Sequence, residues 1–273
     1  MRRMRLGGSV NEAEGAKTFR VSGATYDAFM GRYSRSLADG FVDAAHVQRG
    51  DTALDVGCGP GALTAVLVER LGIEAVAACD PAPGFVAECA TRYPGVRVEL
   101  GRAESIPFDT GVFDHAMAQL VLHFVSDPEL AAGEMVRVVR PGGRVSACMW
   151  DFEDGMEMLR CFWDAALEIN PDAPDEARML RFGRPGEIAE LFISAGMVDV
   201  TESTLSVSSS YADFNELWSG FIAGVGPAGA YCSSLHDEDR DRLRAALFVR
   251  LGEPRGTFAL GAVARCAVGR TSQ

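Results

Sequence analysis

The stretch LDVGCGPG, residues 54–61, joins an apolar strand to a helix through three alternating glycines. Glycine tolerates a positive φ and lets a ligand approach the backbone closely, so it suits a binding turn. Residues 62–71 are apolar at helical spacing, and the loop therefore opens directly onto a helix N-terminus. Free amides at such a terminus attract polar or anionic groups. The stretch predicts a ligand site at a strand–loop–helix turn.

A second landmark is AVAACD at residues 75–80, a short apolar strand that ends in the carboxylate of Asp80. An acidic group at the tip of the second strand of an α/β sheet is suited to the hydroxyls of a ribose. The glycine loop and Asp80 together indicate a nucleoside-type cofactor.

The glycine spacing narrows the choice of cofactor. Dinucleotide-binding loops have the spacing G-x-G-x-x-G, whereas this loop has G-x-G-x-G preceded by Asp55. The Asp55 carboxylate would repel a pyrophosphate and suits a ligand with an ammonium group. Asp80 would likewise repel a 2′-phosphate, which disfavours NADP.

Three further motifs follow the glycine loop in order. They are A-E-x-x-P-F at residues 103–108, F-D at 113–114 and E-x-x-R-V-x-R-P-G-G at 134–143. With residues 54–61 they resemble the class I S-adenosylmethionine (SAM) methyltransferases, in particular the small-molecule type 11 and ubiquinone-biosynthesis families. The resemblance implies an α/β, doubly wound, seven-stranded Rossmann-like sheet of order 3-2-1-4-5-7-6, with strand 7 antiparallel. It also implies SAM as the cofactor and transfer of its methyl group as the activity.

The chain of 273 residues is long enough for one such domain but not clearly for two. We expect a flexible tail over residues 1–20 and a single methyltransferase domain over 21–273. Two helical insertions, at about 151–183 and 209–250, leave from the carboxyl end of the sheet and are expected to cover a small, partly apolar methyl acceptor. We expect two helices in the second insertion.

The resemblance also assigns roles to individual residues. Gly57 and Gly59 are expected to face the methionine part of SAM, with Asp55 on its ammonium group. Ala103 and Glu104 are expected at the adenine edge, and Gln119 beside the methionine moiety. Asp80 is expected on the ribose. The remaining candidates for the cofactor cradle are Cys58, Gly61 and Pro81. A nucleophilic role for Cys58 is conceivable from its place in the loop, but a small packing residue is the favoured interpretation.

The segment before the first strand and one histidine complete the candidate site. In similar methyltransferases such a segment closes over the cofactor, so Tyr26 and Tyr33 could shield the sulfonium and Arg35 could pair with the methionine carboxylate. The tyrosines could equally pack a helix against the sheet. His123, just after strand four, is the best candidate for a general base; its alternative role is to cap the next helix.

Composition argues against several other classes of protein. The net charge is −12 with a single lysine, Lys17, which argues against nucleic-acid partners. Seven cysteines without a C-x-x-C pair suggest neither a metal site nor disulfides, and a reduced cytoplasmic setting follows. The sequence contains no apolar run of 18 residues, so no membrane span is predicted. Two alternatives stay open at this point: a catalytically silent SAM-binding scaffold or regulator, and a nicotinamide-dependent oxidoreductase.

Overall fold

A computed structural model describes residues 27–273 and shows a seven-stranded sheet between two helical layers. The strands are β1 (Ala53–Val56), β2 (Val76–Asp80), β3 (Arg97–Leu100), β4 (Phe113–Gln119), β5 (Val139–Trp150), β6 (Val198–Tyr211) and β7 (Phe258–Arg270). They lie in the order β3-β2-β1-β4-β5-β7-β6. β7 runs antiparallel to both of its neighbours, and the other pairs are parallel. The predicted fold class and strand order are confirmed.

The helices follow the strands and cover both faces of the sheet. They are α1 (Arg32–Ala44), α2 (Ala62–Leu71), α3 (Pro83–Arg92), α4 (Pro128–Val138), α5 (Glu157–Ile169), α6 (Glu176–Met179), α7 (Glu187–Ser194), α8 (Phe214–Ile222), α9 (Gly226–Ser234) and α10 (Asp237–Arg250). A π-helical turn at Asp27–Gly31 precedes α1, and 3₁₀ turns lie at Ile73–Ala75 and Leu122–Phe124.

Local chemistry explains where the helices begin and end. α2 starts after Gly61 and stops before Gly72, both at positive φ, as expected for glycines that bound a helix. The side chain of Asp127 accepts a hydrogen bond from the Leu130 amide at 2.9 Å, and Pro128 occupies the first turn of α4. The two glycines thus give α2 the bounds, residues 62–71, that the sequence predicts.

The structure corrects one local prediction. The second insertion contains three helices, α8 to α10, where we expect two.

Two apolar cores lie on opposite sides of the sheet. One packs α4 and α7 against β1, β4 and β5, with Met135 and Phe192 fully buried. The other joins α1 and α2 to the two insertions through a continuous cluster that includes Phe41, Phe162 and Phe221. The insertions α5–α6 and α8–α10 follow β5 and β6 respectively, and they form a roof at the carboxyl edge of the sheet. Within residues 27–273, no helix combines the length and apolar character that a membrane span requires.

Candidate functional site

Strand register aligns the main candidate residues in one row. Asp55 of β1 pairs with Ala78 of β2 and Met117 of β4. Gly57, Asp80 and Gln119 each lie two residues further along their strand direction. They therefore stand level with one another at the carboxyl ends of three adjacent strands. Open α/β sheets bind their ligands at this edge. The fold thus brings three distant residues together, since Gly57 and Gln119 are 62 positions apart in the sequence.

Asp55 is the most constrained carboxylate of this row. Its side chain is 1% exposed, and Oδ2 accepts a hydrogen bond from the Thr64 hydroxyl at 2.6 Å. Oδ1 is buried and has no hydrogen-bond partner among the described residues. Burial raises the pKa of Asp55 to about 7, and the nearby Asp80 carboxylate adds to the rise. A buried carboxylate with a free oxygen is a receptor for a cation, because an unpaired buried charge is costly.

Thr64 is a candidate site residue that the sequence reasoning missed. It lies fully buried in the first turns of α2 and holds the Asp55 carboxyl group through its hydroxyl. The available signal was a lone hydroxyl residue in the otherwise apolar start of this helix.

The glycine loop is organised by Asp80. Its Oδ2 accepts from the Gly59 amide at 2.9 Å, and its Oδ1 accepts from the Ala82 amide at 2.8 Å. Burial raises the pKa of Asp80, although these two amides act in the opposite direction. Each oxygen retains a second lone pair for a ligand hydroxyl. Asp80 therefore orders the loop and can still accept from a ribose.

Three positions in the loop require glycine. Gly57 has a φ of 73°, and a Cβ there would lie 2.5 Å from a methyl group of Val121. At Gly59, with a φ of 53°, a Cβ would meet no atom within 4 Å, so the space above it is open. A Cβ at Gly61 would collide with the ring of Tyr93. The open side at Gly59 is where a ligand can approach the backbone.

The cysteine in this loop has no nucleophilic character. Cys58 is 6% exposed, and its thiol contacts the Gly59 carbonyl oxygen. The neighbouring Cys89 thiol and burial hold the pKa of Cys58 well above its usual value, so the thiolate is scarce near pH 7. Its packing role is favoured over a chemical one. No three His, Cys, Asp or Glu side chains of residues 27–273 are grouped as a metal site would require.

The expected adenine edge lies beyond β3. Ala103 is buried, and the Glu104 carboxylate accepts from the Ser126 amide at 2.9 Å and from its hydroxyl at 2.8 Å. Arg102 adds an ion pair at 3.3 Å, and together these contacts lower the pKa of Glu104 against the effect of its burial. Pro81 is half-buried beside Asp80. Glu104 thus ties the loop after β3 to the loop before α4, and its adenine contact stays a prediction.

Gln119 connects the row to the N-terminal helix. Its Nε2 donates to the Ser34 carbonyl oxygen at 2.9 Å, while its buried Oε1 has no hydrogen-bond partner among the described residues. Gln119 Oε1 and Asp55 Oδ1 are therefore two unsatisfied acceptors on neighbouring strands. Such groups in a folded protein call for a donor, here from a ligand.

The predicted residues of the N-terminal segment have different environments. Tyr33 is fully buried in α1, where its hydroxyl lies 3.0 Å from that of Tyr211 and its ring meets Trp150 edge-on. This environment favours the packing alternative for Tyr33. Arg35 is half exposed and forms an ion pair with Glu69 at 2.6 Å. Tyr26 and the tail at residues 1–20 lie outside the described residues. The cofactor contacts of all three side chains stay predictions.

An apolar cavity of about 40 Å³ begins at Leu120, the residue after Gln119, and lies within a wider recess of about 430 Å³ that includes space open to solvent. The strand ends contribute Leu120 and Trp150, and the N-terminal segment contributes Phe29. The first insertion adds Phe152, and the second adds Val225. Sequence reasoning expected this roof but missed Trp150, because its position at the last residue of β5 becomes informative only once the insertions are placed.

His123 lines the same cavity. Its ring meets Phe124 and Phe152 edge-on, and its buried Nδ1 has no hydrogen-bond partner among the described residues. Burial lowers the pKa of His123 to about 3, so the imidazole is neutral near pH 7. Because the protonated imidazole is so acidic, His123 is a poor proton acceptor. Its free nitrogen can still accept a hydrogen bond. This environment argues against the general-base prediction.

Comparison with known proteins points to one class. Residues 54–147 match the family model described as a methyltransferase domain, type 11. An uncharacterized methyltransferase of Mycobacterium tuberculosis is 41% identical over 101 residues, covering 37% of this chain and 40% of the relative. A malonyl-[acyl-carrier protein] O-methyltransferase of Salmonella typhimurium is 31% identical over 171 residues, 62% of this chain and 66% of the relative. The chain thus spans less than two thirds of these relatives' length.

A solved structure shares the fold over most of the chain. It is the phosphoethanolamine N-methyltransferase 2 of Haemonchus contortus in complex with SAM. The TM-score is 0.59 at 13% identity, and the match covers 97% of this chain and 61% of that one. At this identity the likeness concerns the fold alone.

Proposed function

We propose that this chain, which carries a class I SAM-dependent methyltransferase domain at residues 54–147, methylates a small, largely apolar acceptor bound beneath its roof. SAM is the cofactor of this class, and its ammonium group needs buried acceptors. Asp55 Oδ1 and Gln119 Oε1 are two such atoms, both without a partner among the described residues. This pair of unsatisfied oxygens beside an open glycine loop is the observation that supports the proposal most directly.

Each residue of the row then has a task. Asp55, held by Thr64, and Gln119, held by Ser34, fix the amino-acid end of the cofactor. Asp80 keeps the glycine loop in place and accepts from the ribose hydroxyls. Because these groups are preorganised by hydrogen bonds on rigid strand ends, little ordering is left for the moment of binding.

The chemistry needs alignment more than it needs acid–base groups. The cofactor supplies a methyl group on a positively charged sulfur, which keeps the bonding electrons when the acceptor's lone pair takes the methyl carbon. The roof aligns the acceptor with that carbon and excludes water. His123 and Trp150 stand in the cavity wall as hydrogen-bonding groups, and a proton released by the acceptor passes to solvent.

Two measurements test the proposal against its alternatives. Isothermal titration with S-adenosylhomocysteine (SAH) and with NAD should show binding of SAH alone; binding of NAD without SAH would instead identify an oxidoreductase. Labelled-methyl transfer from SAM is then assayed with phenols, amines, acidic carbons and a malonyl thioester, the last because of the Salmonella relative's substrate. Transfer to one class supports the proposal. Tight SAH binding without turnover on any of them would favour a SAM-binding scaffold.

A further inference from the structure

We propose that the methyl acceptor is an uncharged, flat, mainly apolar molecule with a hydroxyl group that pairs with the Trp150 indole N–H and the His123 imidazole. This inference rests on the proposed function, because it describes the second substrate of the same site. It goes further in assigning a chemical class to that substrate and a specificity role to Trp150.

The lining of the cavity favours a flat apolar body. Aromatic rings from two parts of the chain meet there, Phe29 from the N-terminal segment and Trp150 with Phe152 from the end of β5. Aromatic walls gain most from a planar ligand that can lie face-on or edge-on against them. Val225 and Leu159 close the remaining sides with aliphatic surface.

Two ring nitrogens specify a polar atom on that body. Trp150 is 2% exposed, and neither its Nε1 nor His123 Nδ1 has a hydrogen-bond partner among the described residues. An indole N–H can only donate, whereas a neutral imidazole presents one nitrogen that accepts. A hydroxyl group both accepts and donates, so its hydrogen-bonding capacity matches the indole donor and the imidazole acceptor.

The charges around the cavity disfavour an ionic acceptor. Among the described residues that line the cavity there is no lysine or arginine, and Glu176 is the one carboxylate. Glu176 is itself engaged, since its Oε2 accepts from the Trp163 indole at 2.8 Å. An anionic acceptor would find no counter-ion there and would face Glu176. An ammonium group would leave the Trp150 N–H without an acceptor, so a neutral hydroxyl compound is favoured over both.

Binding of simple probes to the full chain tests this class. We would measure the affinities of 4-methylphenol, toluene, benzoate and benzylammonium by ligand-observed NMR, with and without saturating SAH. 4-Methylphenol should bind roughly three- to tenfold more tightly than toluene, the contribution of a net hydrogen bond. Both should bind more tightly than the two ions. Binding of either ion as tight as that of 4-methylphenol would overturn the inference.

Variants tie the preference to the named side chains. Trp150→Phe keeps an aromatic wall and removes the N–H, so the 4-methylphenol-to-toluene ratio should fall toward one while toluene binding persists. Trp218→Phe is the matched control, because Trp218 is a buried tryptophan outside the cavity lining. His123→Phe gives a second, independent reduction of the ratio if Trp150→Phe folds poorly. An unchanged ratio in both cavity variants would refute the assignment. Loss of SAH binding would count against the proposed function instead, since the probe ranking is also measured without SAH.

Discussion

Burial at the end of β1 raises the pKa of Asp55 to about 7, so this carboxyl changes its charge close to neutral pH. Only the ionised form attracts the ammonium group of SAH strongly. We expect SAH affinity to increase as pH rises from 5 to 7, by at most about tenfold per pH unit. Isothermal titration at several pH values measures this slope.

Asp55→Asn is the control for that pH dependence. The amide keeps the size of the side chain and an oxygen for Thr64 but does not ionise, so SAH binding should be weaker and nearly independent of pH. The same ionisation acts on stability with the opposite sign. Since the folded pKa lies above the unfolded one, the ligand-free chain loses stability on account of Asp55 as pH rises from about 4 to 7. A wild-type SAH affinity that is flat across pH 5–7 would disprove the ammonium assignment.

Asp80 has a double role, on the loop and on the ribose. Asp80→Ala removes the acceptor of the Gly59 and Ala82 amides as well as that of the ribose hydroxyls. SAH affinity should fall by roughly 1.5–3 kcal/mol, the range for hydrogen bonds to a charged group. Asp109→Ala changes an exposed acid in a nearby loop and should leave the affinity unaltered. Equal affinities for wild type and Asp80→Ala would remove Asp80 from the site.

Among the elements, Phe221 lies at an aromatic junction between the two insertions and the N-terminal segment. Phe221 of α8 stacks on Phe162 of α5 with ring centroids 4.3 Å apart, and it meets Phe29 of the N-terminal segment at 5.1 Å. Phe221→Ala should cost about 3–5 kcal/mol of the free energy of unfolding, because it opens a cavity among buried rings. Chemical denaturation measures this loss. The adjacent Ile222 is 50% exposed, and Ile222→Ala should change stability by less than about 0.5 kcal/mol. A similar loss in both variants would mean that Phe221 does not join the segments.

The elements also show how far local sequence determines this structure. α2 has the predicted bounds because an apolar period and a glycine at each end act on the same ten residues. α9 escaped prediction because Gly226–Ser234 consists mainly of small residues with no apolar stripe. It forms a helix through tertiary contacts that bury Ala228 and Cys232. The row at the strand ends follows from parallel register, and so it could be predicted. The cavity could not, since it requires the contact of two insertions far apart in the chain.

At the scale of the whole molecule, the roof and the sheet share one apolar core. A single buried cluster runs from Val66 of α2 through Trp150 to Trp163 and Trp218 in the insertions. Domains that unfold separately have cores of their own. The single-domain prediction for residues 21–273 therefore has a thermodynamic consequence: roof and sheet should unfold together.

The three tryptophans make that consequence measurable, because one ends β5 and the other two lie in the two insertions. Tryptophan fluorescence reports on the roof, whereas far-UV circular dichroism reports on all helices and strands. In urea the two signals should give the same midpoint and the same m-value, as two-state unfolding requires. SAH at a hundred times its dissociation constant should stabilise the chain by about 2.7 kcal/mol by both probes, since it binds only the folded form. A fluorescence transition at lower urea than the dichroism transition would show that the roof unfolds by itself, and the single-domain prediction would then be wrong.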